Sequence, residues 1–389
     1  MSKTTNMVRI AIISDVHCHT ERDIKSSYYI ASMPDTPFEK NPFSSLTNLI
    51  KKNGLQFDYI LSPGDFADKI DEKGLKVAWD QLKLLYYESK SKYLIGTIGN
   101  HDVSSKDSGD SFRSIKSVLS DFPIYRYEDI DSVIKNQLLI NAYFTFESED
   151  IFFLILNSSF DHWSSNEARH GKFNESSYSS IESKIKETDK KIKICMMHHH
   201  PIIHETGNGD TNDIVENNDK LWELLVDFDF VIHGHKHDFR LTQKKIYPKN
   251  LSIIASGSFS CYKEGLAPGG LNMFHVIELL DDEVENCKNQ GFLQTYTYSP
   301  YDGWKHVIRL TQGFGCTLND SEIITKLESE ITSQENPYLE YIEICELIPW
   351  IKFNSQSKIR DIFRVLENNR TIKRITYSND GIIDTIIIK

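Results

Sequence analysis

The sequence predicts an α/β protein built from layered sheets, and three features predict it. Short runs rich in Val, Ile, Leu and aromatics recur along the first 280 residues. Helical patterns separate several of them, the order that a layered strand and helix architecture requires. The last runs follow one another with few helices between, so part of the sheet is expected to be antiparallel or mixed.

Taken in order, strands are expected at Val8–Ser14, Phe57–Ser62, Tyr93–Ile98 and Ile151–Asn157. Further ones are expected at Ile192–Met197, Phe228–His233, Leu251–Ser256 and Phe274–Leu280. The clearest helix is Glu72–Ser89, where Leu75, Trp79, Leu82 and Tyr86 recur at spacings of three and four. Ser44–Asn53, Ser179–Thr188 and Asp219–Val226 carry weaker versions of that pattern. Residues 1–280 therefore read as one domain, with polar inserts at about 18–43 and 102–135. Residues 281–389 change character and read as an α+β extension. Helices are expected there at Asp320–Ser333 and Ser357–Glu367, then a hairpin turning at Asp380-Gly381. A lid, a dimerisation surface or a binding module is the expected role of this extension.

Composition narrows the function classes. Hydrophobic residues make up 39% and charged residues 26% of the 389 positions, as in a globular protein with a real core. The net charge of −12 gives no global attraction for nucleic acid or an anionic membrane. No stretch approaches the roughly 18 apolar residues of a membrane span. The N-terminus lacks the apolar run and cleavage site of a signal peptide. Six scattered cysteines without a CxxC pair read as the reduced thiols of a cytoplasmic protein. Cys18, beside the first motif, reads as a small space-filling residue.

Polar residues stand at five strand ends. They are Asp15-Val16-His17, then Gly64-Asp65 with Asp68 close behind, and Gly99-Asn100-His101-Asp102. The histidine triplet His198-His199-His200 precedes Pro201, and His233-Gly234-His235-Lys236-His237 closes the series. Ligands bind outside the carboxyl ends of strands in open α/β sheets, so these groups can converge. Carboxylate, amide and imidazole without an essential thiolate suit first-row divalent metals such as Mn, Fe, Ni, Co or Zn. The donors are too many for one ion, whereas two ions about 3.5–4 Å apart sharing a carboxylate would use them.

Together, "DVH", "GDFAD", "GNHD", "HHP" and "GHKH" resemble the ordered motifs of the calcineurin-like metallophosphoesterases over roughly residues 8–260. The resemblance implies a four-layer α/β/β/α sandwich with two mixed sheets face to face. It implies one metal held by Asp15, His17, Asp65 and His237, and a second by Asp65, Asn100, His199 and His235. The family's ligand histidine stands two residues before the proline, which selects His199, with His198 packing or supporting beside it and His200 facing the cleft rim or a partner that supports the ligands; a shift of one residue would put His198 or His200 in its place. His101 would protonate the leaving oxygen after in-line attack by a hydroxide bridging the ions, and Asp102 would orient its imidazole. Asp68 is expected to support the ligands or to start a helix. His19, His162, His170 and His204 are expected to have no catalytic part.

The GHxH ending resembles the cyclic-nucleotide phosphodiesterases and their broad-specificity relatives, so a small phosphoester is the expected substrate. It also resembles the nucleases of double-strand-break repair. Residues 351–389 hold eight Lys and Arg against four Asp and Glu, and a helix followed by a hairpin suggests a winged-helix-like module. Against nucleic acid as partner stands the reading of the extension as a dimerisation surface or a lid over the cleft, with a small phosphoester as the expected partner of the site. A third reading, a non-catalytic scaffold, is disfavoured because every expected ligand is retained.

Overall fold

A computed structural model of the chain describes all residues except 1–6, 21–40, 105–111, 127–131, 163, 165–166, 204–213, 247–248, 263–264, 267–269, 282 and 389. Most of the insert at 18–43, part of that at 102–135, and His204 lie outside the described residues.

The chain opens with β1 (Met7–Ile12), α1 (Pro42–Asn53), β2 (Tyr59–Ser62), α2 (Glu72–Glu88) and β3 (Tyr93–Gly96). Then come α3 (Arg113–Val118), β4 (Ile124–Tyr125), α4 (Ser132–Asn136), β5 (Tyr143–Glu147) and β6 (Ile151–Leu156). The next stretch holds α5 (Glu167–His170), α6 (Tyr178–Glu187), β7 (Ile192–Met196), α7 (Asn218–Leu225) and β8 (Phe230–His233). Six strands follow with no α-helix between them: β9 (Phe239–Ile246), β10 (Lys249–Ser256), β11 (Asn272–Leu280), β12 (Cys287–Ser299), β13 (Gly303–His306) and β14 (Gln312–Cys316). The chain closes with α8 (Asp320–Thr332), β15 (Tyr338–Glu340), α9 (Tyr341–Leu347), α10 (Gln356–Asn368), β16 (Ile372–Tyr377) and β17 (Ile383–Ile388).

The first sheet has the order β13-β12-β11-β1-β2-β3-β4, with β14 also on β12. The second has the order β5-β6-β7-β8-β10-β9. Both are mixed: β1, β2 and β3 run parallel while β11 joins β1 antiparallel. In the second sheet β6, β7, β8 and β10 are parallel and both edge strands antiparallel.

Side-chain parity shows how the sheets stack. Along β6, Ile151, Phe153 and Ile155 enter one core with Ile10 and Ile12 of β1. Phe152, Leu154 and Leu156 enter another with Ile181 and Ile185 of α6 and Leu221 and Leu225 of α7. On the far side, α1 and α2 cover the first sheet with Phe43, Leu46, Leu75, Trp79 and Leu82. Each such side chain contributes about 1.5–3 kcal/mol on full burial. The layers are therefore helix, sheet, sheet, helix.

Two features concern the extension. The expected boundary at 280 falls between β11 and β12, which are paired over Asn272–Leu279 in the first sheet. Beyond them β13 reaches α1, where Trp304 Nε1 donates to the Pro42 carbonyl at 2.8 Å. A separate core gathers residues 316–388, with Ile323, Leu327, Phe353, Phe363 and Ile386 at its centre. It is capped by a third sheet, ordered β15-β17-β16.

Candidate metal centre

The loops that leave β1, β2, β3, β7 and β8 meet at one end of the two sheets. Pairing between β1 and β2 continues past the strands: Asp15 N donates to Gly64 O at 3.1 Å and His17 N to Asp65 O at 3.0 Å. Gly99 packs so closely that a Cβ there would sit 2.1 Å from Asp65 Oδ1. At Gly234 a Cβ would sit 2.3 Å from Asp15 Oδ2. The glycines of the motifs thus let the donor loops approach one another.

Asp15, His17, Asp65, His235 and His237 all have left-handed backbones, with φ of 53°, 50°, 55°, 85° and 54°. Such conformations cost of order 1–3 kcal/mol for a residue with a Cβ and cluster where function fixes them.

One donor group contains Asp15, His17, Asp65 and His237, whose ligand atoms all lie within 4.8 Å of one another. The Nε2 atoms of His17 and His237 are 2.8 Å apart, and only one proton fits between them. On the other side of Asp65, His198 Nε2 and His235 Nδ1 lie 2.9 and 3.0 Å from Asn100 Oδ1. Asp65 joins the groups: its Oδ2 is 3.7 Å from His17 Nε2 and 3.3 Å from His198 Nε2.

The donors fit two divalent cations. His198 Nδ1 faces the Pro63 carbonyl at 2.9 Å, His237 Nδ1 that of Gly265 at 2.9 Å, and His235 Nε2 that of Arg169 at 2.9 Å. A carbonyl only accepts, so each ring places its proton there and offers the lone pair of its other nitrogen inward. Without cations, a proton takes their place. Burial opposes charge on His198, yet Asp65 beside it holds its pKa up at about 9. Burial likewise pushes the Asp65 carboxyl up, but the charges of His198 and His101 outweigh it and hold it well below its usual range.

Of the triplet, His198 as well as the expected His199 reaches the donor cluster, and it is His198 that turns toward Asp65 and Asn100. His199 Nδ1 is 2.8 Å from Ser158 Oγ and its Nε2 is 3.0 Å from the Ala168 carbonyl, and His199 shares with His198 and His235 a cluster whose ligand atoms all lie within 4.8 Å of one another. Burial pushes its pKa down to about 3. His198 faces Asp65 and Asn100 instead. The reason is strand parity: Ile194 and Met196 point between the sheets, and Cys195 and Met197 point away. His198 continues the inward series. His200, expected at the rim or against a supporting partner, is buried and packs on His233 with ring centroids 4.4 Å apart.

A further difference concerns the partner of His101. Asp102 accepts from the backbone N–H of Asp65 and Gly99 at 2.9 Å and of Ala67 at 3.0 Å. It braces the loops after β2 and β3. Asp68 is the carboxylate beside the imidazole, with Oδ1 3.1 Å from His101 Nδ1 and 3.8 Å from His17 Nδ1. Burial disfavours a charged His101, but Asp65 and Asp68 together raise its pKa. Its side chain is 31% exposed, at the mouth of the site. Sequence reasoning also missed Ser158 and the three carbonyls that orient the rings, which carry no motif of their own.

Similarity to known proteins gives the family and the fold. A profile of the calcineurin-like phosphoesterases matches residues 8–239. No curated protein matches the chain in sequence. Among solved structures, a purple acid phosphatase from yellow lupin aligns over 77% of this chain and 52% of its own, at 14% identity and a TM-score of 0.50. A dimetal phosphatase from Danio rerio aligns over 77% of this chain and 98% of its own, at 13% identity and a TM-score of 0.47. At that identity the lupin likeness speaks for the fold alone. No helix among the described residues is long and apolar enough to cross a membrane.

Proposed function

The chain belongs to the calcineurin-like phosphoesterases, metal-dependent hydrolases of phosphoric esters, and from that premise we propose that its substrate is a small phosphoester such as a cyclic nucleotide. The place of Asp65 carries the hydrolytic part of this reading, and the GHKH motif the choice of a small phosphoester. The Asp65 carboxylate stands between the two donor groups, and its Oδ1 accepts from the His101 N–H at 2.8 Å. A cation pair sharing Asp65 would therefore lie beside His101.

When bound, two divalent cations neutralise phosphoryl oxygens and lower the pKa of water. Mn, Fe, Ni, Co and Zn all suit nitrogen and oxygen donors of this kind. Asp15, His17, Asp65 and His237 would hold one, and Asp65, Asn100, His198 and His235 the other. Asp68 would hold the His101 imidazole by Nδ1 and leave Nε2 facing the mouth, where it donates a proton to the departing oxygen. His235 is seated against Arg169 and His198 against Pro63, so neither ring must reorganise.

A second reading, a nuclease, draws on the C-terminal module. Its order of helix, strand, two helices and hairpin, with β17 central in the sheet, is that of a winged helix. Arg364, Arg370, Lys373 and Arg374 are exposed on α10 and the start of the hairpin.

One panel tests both readings. Chain reconstituted with each metal in turn is given bis-p-nitrophenyl phosphate, phosphomonoesters, cyclic nucleotides and oligonucleotides. Turnover of a small diester or cyclic nucleotide is expected, and Asp65→Ala should abolish it together with both ions. Preference for oligonucleotides with a steep salt dependence would favour the nuclease. A chain that binds no ion and cleaves nothing would end both readings.

A further inference from the structure

Cys287, at the start of β12, and Cys316, at the end of β14, are direct partners across two antiparallel strands. The bond beside them fixes the kind of pair. Thr317 N donates to Asn286 O at 2.8 Å, joining the residue after one cysteine to the residue before the other. The cysteines therefore occupy a narrow, non-hydrogen-bonded pair, where Cα atoms stand about 4.5 Å apart and side chains are closest. That spacing lies inside the range of about 4.4–6.8 Å that a disulfide spans.

The surroundings suit thiol chemistry as well as geometry. Cys316 is buried and Cys287 half-buried, so a small oxidant would reach the Cys316 sulfur from the Cys287 side of the pair. The Cys287 thiol, the Leu318 N–H, the Asn354 side chain and Lys358 all favour a charged Cys316 sulfur. Such donors favour a thiolate, and the Cys316 pKa is lowered to about 7, with the Cys287 thiol its largest cause. No other two cysteines among the described residues are strand partners.

We propose that Cys287 and Cys316 form a thiol-oxidation site that hydroperoxides close to a disulfide, locking β12 to β14 where the C-terminal core rests on the first sheet. The Cys316 thiolate attacks the distal hydroperoxide oxygen: an S–O bond forms, the O–O bond breaks, and the alkoxide leaves and takes up a proton. The Cys287 thiol then attacks that sulfur. The S–S bond forms, the S–O bond breaks, and water departs with the thiol's proton. The two sulfurs lose two electrons and the hydroperoxide is reduced to an alcohol, or to water if hydrogen peroxide is the oxidant. Cys316, on β14, packs in the C-terminal core with Ile323 and Phe353, and Cys287, on the adjoining strand β12 of the first sheet, packs against that same core. The new bond would tie together the two strands on which the C-terminal core rests.

The test treats the full chain with a slight excess of hydrogen peroxide and measures intact mass without reductant. The expected product is lighter by about 2 Da, the two hydrogens lost on disulfide formation, and dithiothreitol restores it. Peptide mapping should join the segments that contain Cys287 and Cys316. Cys287→Ser should instead stop at an oxygen adduct on Cys316, and Cys345→Ser should behave as the unsubstituted chain. An unchanged mass, an adduct of two oxygens without a cross-link, or a disulfide mapped elsewhere overturns the proposal. The unsubstituted chain decides the matter even if a variant fails to fold.

Discussion

His198 and His199 differ in where their ring nitrogens point. His199 meets Ser158 and Ala168, whereas His198 keeps Nε2 toward Asp65 and Asn100. His198→Ala should lower bound metal from two ions toward one, and turnover by more than about 100-fold, since even residues that orient ligands are worth about 10–100-fold. His199→Ala should keep both ions and lose about 1–2 kcal/mol of stability with its hydrogen bonds. Metal analysis beside thermal unfolding separates the two, and equal metal loss would reverse the assignment. Asp68 and Asp102 divide in the same way. Asp68→Asn should slow esters with poor leaving groups about 10–100-fold and leave activated p-nitrophenyl esters less affected. Asp102→Asn should cost about 2–4 kcal/mol in denaturant unfolding, because a buried carboxylate there receives three backbone N–H groups. Most of this site was legible as residue types at strand ends. The two differences were of direction, since a motif spacing counts residues and says nothing of parity or of which carboxylate turns toward a ring.

Among the elements, the eight expected strands all exist, with ends moved by a few residues, because buried parallel strands are continuous apolar runs. β12 escaped notice although it is 13 residues long. Its sequence, CKNQGFLQTYTYS, alternates polar and apolar residues and starts on an irregular stretch near Asn289, whose φ is 47°. β5 and β9 were missed for a similar reason: Thr145 and Glu147 in one, and Arg240, Lys244 and Lys245 in the other, interrupt the apolar runs. A truncation follows from β12. A chain ended at 280 loses the partner of β11 and the contact of Trp304 with α1, and is expected to aggregate without binding metal. A chain ended at 316 keeps all eight strands of the first sheet and should still bind two ions. Size-exclusion chromatography and metal content check both, and a folded, metal-loaded 1–280 chain would refute the claim.

For the whole molecule, buried histidines set how stability follows pH when cations are removed. His198 has its pKa raised from the ordinary 6.5 to about 9, so its contribution is complete below 6.5 and lost as pH rises through 9. His199 and His275 are held neutral, with pKa values lowered by burial to about 3 and about 4. Their contribution is complete above 6.5 and lost as pH falls toward those values. The metal-free chain should thus unfold at the highest temperature near pH 6.5, by calorimetry with a chelator present. Added cations should remove the alkaline loss, because His198 then gives up its proton to bind. Layer order was readable at this scale through the family resemblance, whereas the joining of extension and first sheet was not, since strand pairing over long separations leaves no local mark. The sheet margins carry one more implication. β4 is two residues long, and β9 ends the second sheet with Arg240, Lys244 and Lys245, where Lys245 meets Glu322 of α8 at 3.6 Å. Short or lysine-bearing borders resist strand-to-strand polymerisation, so at these two borders the architecture is guarded against growing into fibrils even when chains are crowded.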